Sequence, residues 1–221
     1  MIKIHHLNDS RSQRILWLLE ELELNYEIIK YQRDKVTMLA PKELENVHPL
    51  GKSPVLEDGD LVVAESGAIV EYLLKKYGKG SLTYPEDLEQ SVDHSYWLHF
   101  AEGTLMPPFL LKLVFDKINS SVPFFMKPLT KAISSQVMKS FVGPNIKRNL
   151  SFINNKLEDR VFLLGDSVTG ADIMMSFPLE AGLSRIEDKD SYIHIRKYID
   201  TIHARSAYKR ALDRGGEYSY T

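Results

Sequence analysis

The sequence predicts an α/β half followed by an all-helical half. Three observations carry this: an opening β-α-β pattern, an Asp-Gly hairpin signal at residues 58–59, and purely helical periodicity beyond a Gly-, Ser- and Pro-containing stretch at residues 78–85. The 221 residues suffice for two modest domains, and 43% hydrophobic with 26% charged residues is the makeup of a packed globular protein. The expected bounds are residues 1–78 for the first domain, 79–88 for a linker and 89–221 for the helical domain.

Taken in order, alternation at Ile2 and Ile4 predicts a strand, and Ile15, Leu18, Leu19 and Leu22 share one helical face. Glu20 and Glu21 of that helix read as a hydrated surface. Tyr26 to Tyr31 read as a second strand, and Pro41 to Pro49 as an irregular region. Val55-Leu56 and Leu61-Val62-Val63 flank Glu57-Asp58-Gly59-Asp60, which predicts a type I′ turn with positive φ at both central residues. A helix follows with Ile69, Val70, Leu73, Leu74 and Tyr77 along one side. The order βαβ, irregular helix, ββα is that of a thioredoxin-like domain.

In the second half, Pro107-Pro108 is expected to kink or break a long helix starting near Pro85. Val122 to Pro128 reads as a stiff apolar insert able to roof a pocket. Met106, Phe109, Phe124, Phe125 and Met126 read as core, with a share in an apolar pocket as the alternative. Ile146, Leu150, Ile153 and Leu157 form one helical stripe; Tyr192, Ile195, Tyr198, Ile199 and Ile202 form another. Thr169-Gly170-Ala171-Asp172 predicts a capping box, with Val168 and Ile173 at the positions of a hydrophobic staple.

A formal charge of −2 gives no electrostatic case for nucleic acid or an anionic membrane. Without cysteine there is no disulfide, thiolate metal site or protein-thiol catalysis, so any sulfur chemistry must use a ligand's sulfur. His5 and His6 point to opposite faces of a strand and His94 and His99 are five apart on a helix, so no metal is expected. The first residues lack the apolar core of a signal peptide and no apolar run approaches the roughly 20 residues of a membrane span. A cytoplasmic protein is expected.

Four segments carry a resemblance across nearly the whole chain: Ser10-Arg11-Ser12-Gln13-Arg14-Ile15, Gly51-Lys52-Ser53-Pro54-Val55-Leu56, Glu65-Ser66-Gly67-Ala68-Ile69, and Leu164-Gly165-Asp166 leading into the Thr169 box. In this order and spacing the chain resembles a cytosolic glutathione transferase of the serine-type, theta-like and fungal-bacterial branch. The resemblance implies a cis Pro54, with the Ser53 backbone pairing with the cysteinyl part of glutathione. Read locally, Pro54 is an ordinary strand-initiating proline. Likewise Glu65 and Ser66 read as a helix cap, while the resemblance implies that Ser66 and nearby amides hold the γ-glutamyl carboxylate and Glu65 meets its ammonium. Lys52, locally a solvated charge, is implied to meet the glycyl carboxylate.

Ser10 reads locally as the N-cap of a box in which it covers Gln13 and Gln13 reaches back. The resemblance implies that its hydroxyl donates to the glutathione sulfur, with Ser12 as the rival and Asn8 as an assistant. A free thiol has a pKa of about 8.5, and lowering it by about two units takes roughly 2.7 kcal/mol. A hydrogen bond to a charged group contributes about 1.5–3 kcal/mol and a helix N-terminus about 0.3–1, so one hydroxyl and the dipole nearly suffice. The implied activity is conjugation of glutathione, as co-substrate, to small hydrophobic electrophiles by a homodimer. Alternatives are a glutathione-dependent peroxidase or disulfide reductase, and a non-catalytic binding protein with this fold.

Overall fold

The computed structural model describes residues 1–220; Thr221, the last residue of the expected helical domain, lies outside it. Ile2–Leu7 (β1) is a central strand. It pairs in parallel with Tyr26–Tyr31 (β2) and antiparallel with Val55–Asp58 (β3), which turns into Leu61–Ala64 (β4), giving the order β2-β1-β3-β4. Ser12–Glu21 (α1) links β1 to β2, and Ser66–Tyr77 (α2) follows β4. Ile15, Leu18, Leu19 and Leu22 are buried, as are Ile69, Val70, Leu73 and Leu74.

The hairpin differs from expectation. Asp58 pairs with Leu61, so Gly59 and Asp60 are the loop, and of the two only Gly59 has positive φ (+65°). This is the pattern of a type II′ turn, where only the first central residue needs the left-handed side and glycine supplies it. Asp58 then anchors the hairpin to α2, accepting from Tyr72 Oη and Lys76 Nζ at 2.7 Å and from Tyr77 Oη. The Lys76 ammonium, with the hydroxyls of Tyr77 and Tyr72, holds its carboxyl down at about 2.

Glu20 and Glu21 are not a hydrated surface either. Ser206–Gly215 (α9) packs on α1, and Glu20, 7% exposed, accepts from Tyr26 Oη, Arg210 Nε and Arg214 Nη1 at 2.7–2.9 Å. Glu21 takes Trp17 Nε1 and the Arg205 fork. Period alone left this face polar; it is polar because a charged helix covers it.

Beyond residue 87 the elements are helical: Leu88–His99 (α3), Met106–Ser121 (α4), Lys127–Val137 (α5), Gly143–Lys156 (α6), Gly170–Leu183 (α7), Ile193–Ala204 (α8) and α9. Around Pro107-Pro108 the regular α-helix is interrupted, as expected, but the backbone stays helical. A π-helical turn, Phe100–Leu105, joins α3 to α4, and the wider turn relieves the crowding that a proline ring imposes on the carbonyl four residues back. Thr104 C=O, four residues before Pro108, accepts from Asn149 Nδ2 at 3.0 Å. The 122–128 insert does not roof a pocket: it is the tip of the α4–α5 hairpin, where Phe124, Phe125 and Met126 are exposed rather than core. Phe109 is buried as expected, against Gly182.

The stripes of α6 and α8 are buried, apart from partly buried Ile199. Helix α7 is buried along its whole length, consistent with its being apolar on all sides. Its capping box forms: Asp172 Oδ2 accepts from the Thr169 N–H and hydroxyl at 2.8 Å, and Oδ1 accepts from Leu163 N–H and Tyr198 Oη. Among the described residues no helix is long and apolar enough to cross a membrane, and no three His, Asp or Glu gather as a metal site.

Two outcomes are expected. A carboxyl held near 2 in the fold and about 3.9 in the unfolded chain adds stability that is complete above pH ~4 and lost as pH falls towards ~2. Asp58→Asn should remove that acid-side slope, read by urea unfolding at pH 3 and pH 6. Asp172→Ala, which strands the donors of Leu163, Thr169 and Tyr198, should cost at least about 2 kcal/mol in the same assay.

Candidate functional site

A cleft of about 340 Å³ runs between the two halves. Lys52, Ser53, Pro54, Glu65 and Ser66 all line it, although thirteen residues of chain and a hairpin separate the first from the last. Pro54 stands just before β3 and Ser66 opens α2, so the β3–β4 return brings both segments to one edge. A larger cavity, about 400 Å³, lies at the linker and is lined by Ser81, His94 and Arg160 among others. It holds none of the expected residues, and the chemistry is assigned to the smaller cleft on the groups gathered there.

The Ser53-Pro54 peptide is cis. Ser53 Oγ donates to His5 C=O at 2.8 Å and accepts from Leu7 N–H at 3.2 Å, which pins the loop to β1. Its own N–H and C=O make no hydrogen bond among the described residues, so a donor and an acceptor are left on the cleft wall. Glu65 has φ +71° and ψ 126°, far from where a non-glycine residue rests. That conformation starts α2 abruptly at Ser66, whose hydroxyl is buried with no partner. A buried hydroxyl at a helix N-terminus, beside unsatisfied amides, is a place for a carboxylate. Lys52 is exposed and has no carboxylate partner among the described residues.

Ser10 and Ser12 are buried beside the cleft and do not line it; Arg11 between them does. The expected capping box is absent. Helix α1 begins at Ser12, Ser10 Oγ accepts from Ser12 N–H at 3.2 Å instead of from Gln13, and the Gln13 amide is buried without partners. Ser10 Oγ also lies 2.8 Å from Ser12 Oγ, which lies 2.8 Å from His6 Nδ1. Ser12 Oγ further accepts from Leu7 N–H at 3.3 Å and reaches Leu7 C=O at the same distance. Asn8 Oδ1 accepts from Arg33 N–H at 2.8 Å.

Residues 1–75 of the chain match the family described as "Glutathione S-transferase, N-terminal domain" and residues 121–206 match "Glutathione S-transferase, C-terminal domain". Glutathione S-transferase 1 of Saccharomyces cerevisiae is 32% identical over 223 residues, covering 97% of this chain and 95% of that protein. The chain belongs to the glutathione S-transferase family. A crystal structure of a glutathione S-transferase from Actinobacillus pleuropneumoniae is 36% identical, with a TM-score of 0.79 over 97% of this chain and 93% of that one. A family structure from Methylobacillus flagellatus, described as having GSH bound, shares the fold at 20% identity and a TM-score of 0.73, covering 96% of this chain and 98% of that one.

Within this glutathione S-transferase fold, Arg11, His48, Leu50, Ala64, Glu102 and Leu110 complete the cleft wall, none of them singled out by the sequence reading as a site residue. Arg11 Nε donates to both Glu102 oxygens at 3.0–3.1 Å. Arg14 Nη2 donates to the same carboxylate and Nη1 donates to Met174 C=O at 2.7 Å. Burial alone would raise the Glu102 carboxyl, but Arg14 and Arg11 outweigh it and hold it below the usual range. The spacing of Arg11 and Arg14, three apart on one helical face, is the only sequence signal of this bridge.

Removing one member of so buried a pair leaves the other charge uncompensated. Glu102→Ala is expected to cost about 3 kcal/mol, read by chemical denaturation.

Proposed function

We propose that the cleft binds glutathione and that the chain conjugates it to small hydrophobic electrophiles. The carrying observation is the unpartnered Ser66 hydroxyl, buried in the cleft wall at the N-terminus of α2. In this reading Ser66 and the α2 amides hold the γ-glutamyl carboxylate, Glu65 meets the ammonium, the Ser53 backbone pairs with the cysteinyl residue beside Pro54, and Lys52 meets the glycyl carboxylate.

The hydroxyl that stabilises the thiolate is Ser10 rather than Ser12. Ser12 sits between His6, the Leu7 backbone and Ser10, with its capacity spent, whereas Ser10 ends the chain of hydroxyls. The thiolate attacks the electrophilic carbon, forming a C–S bond while the leaving group departs with its electron pair and the thiol proton passes to solvent. Leu110, Val114 and Ile118, exposed at helical spacing along α4 from the cleft wall, give an electrophile an apolar track. A homodimer belongs to the reading: Leu88, Val92 and Tyr96 on one face of α3, with Leu61 and Val62 on edge strand β4, are exposed apolar groups from both halves.

Calorimetry should give saturable glutathione binding that Ser66→Ala weakens about tenfold; no binding to the parent protein would overturn the reading. Ser10→Ala should raise the pKa of the bound thiol and slow conjugation of an aryl halide while binding persists. Val92→Glu should shift sedimentation towards the monomer.

A further inference from the structure

Buried behind the cleft, three side chains form a chain of hydrogen bonds whose direction is not fixed by the heavy atoms: His6 Nδ1 to Ser12 Oγ at 2.8 Å, and Ser12 Oγ to Ser10 Oγ at 2.8 Å. A hydroxyl has one proton and two lone pairs, and a neutral imidazole carries its proton on one nitrogen only. Ser12 already accepts from Leu7 N–H, and Ser10 from Ser12 N–H. Leu7 N–H is shared with Ser53 Oγ at 3.2 Å; with that N–H on Ser12 and the Ser12 proton kept within the chain, two arrangements satisfy every group.

If His6 carries its proton on Nε2, Nδ1 accepts from Ser12, so Ser12 must accept from Ser10. The Ser10 proton then points inward, away from the cleft, and cannot serve a sulfur. If His6 is protonated on Nδ1, it donates to Ser12, Ser12 donates to Ser10, and both lone pairs of Ser10 are filled. Its own proton is then the one unspent donor of the chain. The Leu7 carbonyl, at 3.3 Å, competes poorly with the 2.8 Å contact for the Ser12 proton.

We propose that His6 is the positioning residue that sets this direction, held with its proton on Nδ1 so that Ser10 is left free to donate towards the glutathione thiol. The inference rests on the Ser10 reading given above and deepens it. The surroundings of Nε2 support it. His6 is paired with Lys30 across the parallel β1–β2 ladder, and the two line one small cavity with Asn8, Gln32 and Glu217. A bare Nε2 lone pair suits a neighbouring ammonium; an Nε2–H would face it. The exposed Glu217 carboxylate and the nearby amide oxygens suit the other arrangement, but Lys30 is the charged group that acts on His6. From α1, the buried Gln13 amide has both an uncommitted donor and an uncommitted acceptor, its Oε1 lying like His6 Nε2 near Gly215 of α9, so it can serve either arrangement. Burial and then Lys30 push the imidazole down to about 4, so it is neutral at physiological pH and its tautomer is a defined quantity.

The direct test is ¹⁵N NMR of the full chain, with and without glutathione, correlating ring nitrogens with ring protons. His6 protonated on Nδ1 is expected; protonation on Nε2 would overturn the proposal. The functional test reads the pKa of bound glutathione by thiolate absorbance. His6→Leu and Ser12→Ala should each raise it by about one unit, so that a thiol lowered to about 6.5 in the parent loses about threefold in thiolate at neutral pH, with little change in KM for glutathione. His6→Asn, which keeps an N–H near the position of Nδ1, should restore most of the parent value. In a Ser10→Ala background His6→Leu should add nothing; a full further rise there, or no rise in the parent background, would also overturn it. If Ser10→Ala itself leaves the thiol unmoved, the Ser10 reading fails, while the tautomer measurement still judges the chain.

Discussion

A guanidinium with no access to water holds the two halves of this molecule in register. Arg14 is 1% exposed, and two groups from the other half, the Glu102 carboxylate and the Met174 carbonyl, offset part of the cost of burying it, while its Nε stays unpartnered. That carbonyl is available for a covalent reason. Pro178 lies inside α7 and lacks an N–H, so the carbonyl four residues earlier, that of Met174, has no helical donor. One residue type in the helical half therefore creates the acceptor that a charged residue in the α/β half requires. Arg11, the residue before the helix that carries Arg14, bonds the same Glu102 carboxylate of the π-helical turn at the cleft wall.

Much of the fold was legible from period. Strands β1 to β4 and the helices with clear apolar stripes follow from spacing alone, as does the box at Thr169, because these are local patterns matched to local backbone needs. The misreadings share a cause: they are places where a distant element decides. Glu20 and Glu21 are polar on a helix face, as a solvated surface would be, but arginines 190 residues on in sequence claim Glu20. Pro107-Pro108 interrupts the regular helix as expected, but the preceding turn widens and Asn149 takes up a freed carbonyl, so the backbone stays helical.

The same division runs through the site. Lys52, Ser53, Pro54, Glu65 and Ser66 were singled out by the resemblance alone, since read locally they are a solvated charge, a strand-initiating proline and a helix cap; a hairpin brings them to one cleft. Arg11, Glu102 and Leu110 were not, since nothing near Glu102 in sequence points to Arg11. At Ser10 the local pattern misled: Ser-x-x-Gln reads as a capping box, yet the serine at residue 12 and the imidazole beneath it offer better partners than the Gln13 amide. Gln13, left buried with an unspent amide, shows that the local rule lost to a nonlocal network.

The turn that carries Ser10 has one more tether. Asp9, in a left-handed backbone conformation, accepts from Ser219 N–H at 2.7 Å, and the neighbouring tyrosines bond Glu180 and Arg185 of the helical half. The partner of Asp9 is 210 positions away, so a growing polypeptide emerging from the ribosome carries this turn long before it acquires the clasp. Completion of the Ser10 turn is therefore a late event in biosynthesis, because its clasp is made about 210 residues after the turn itself.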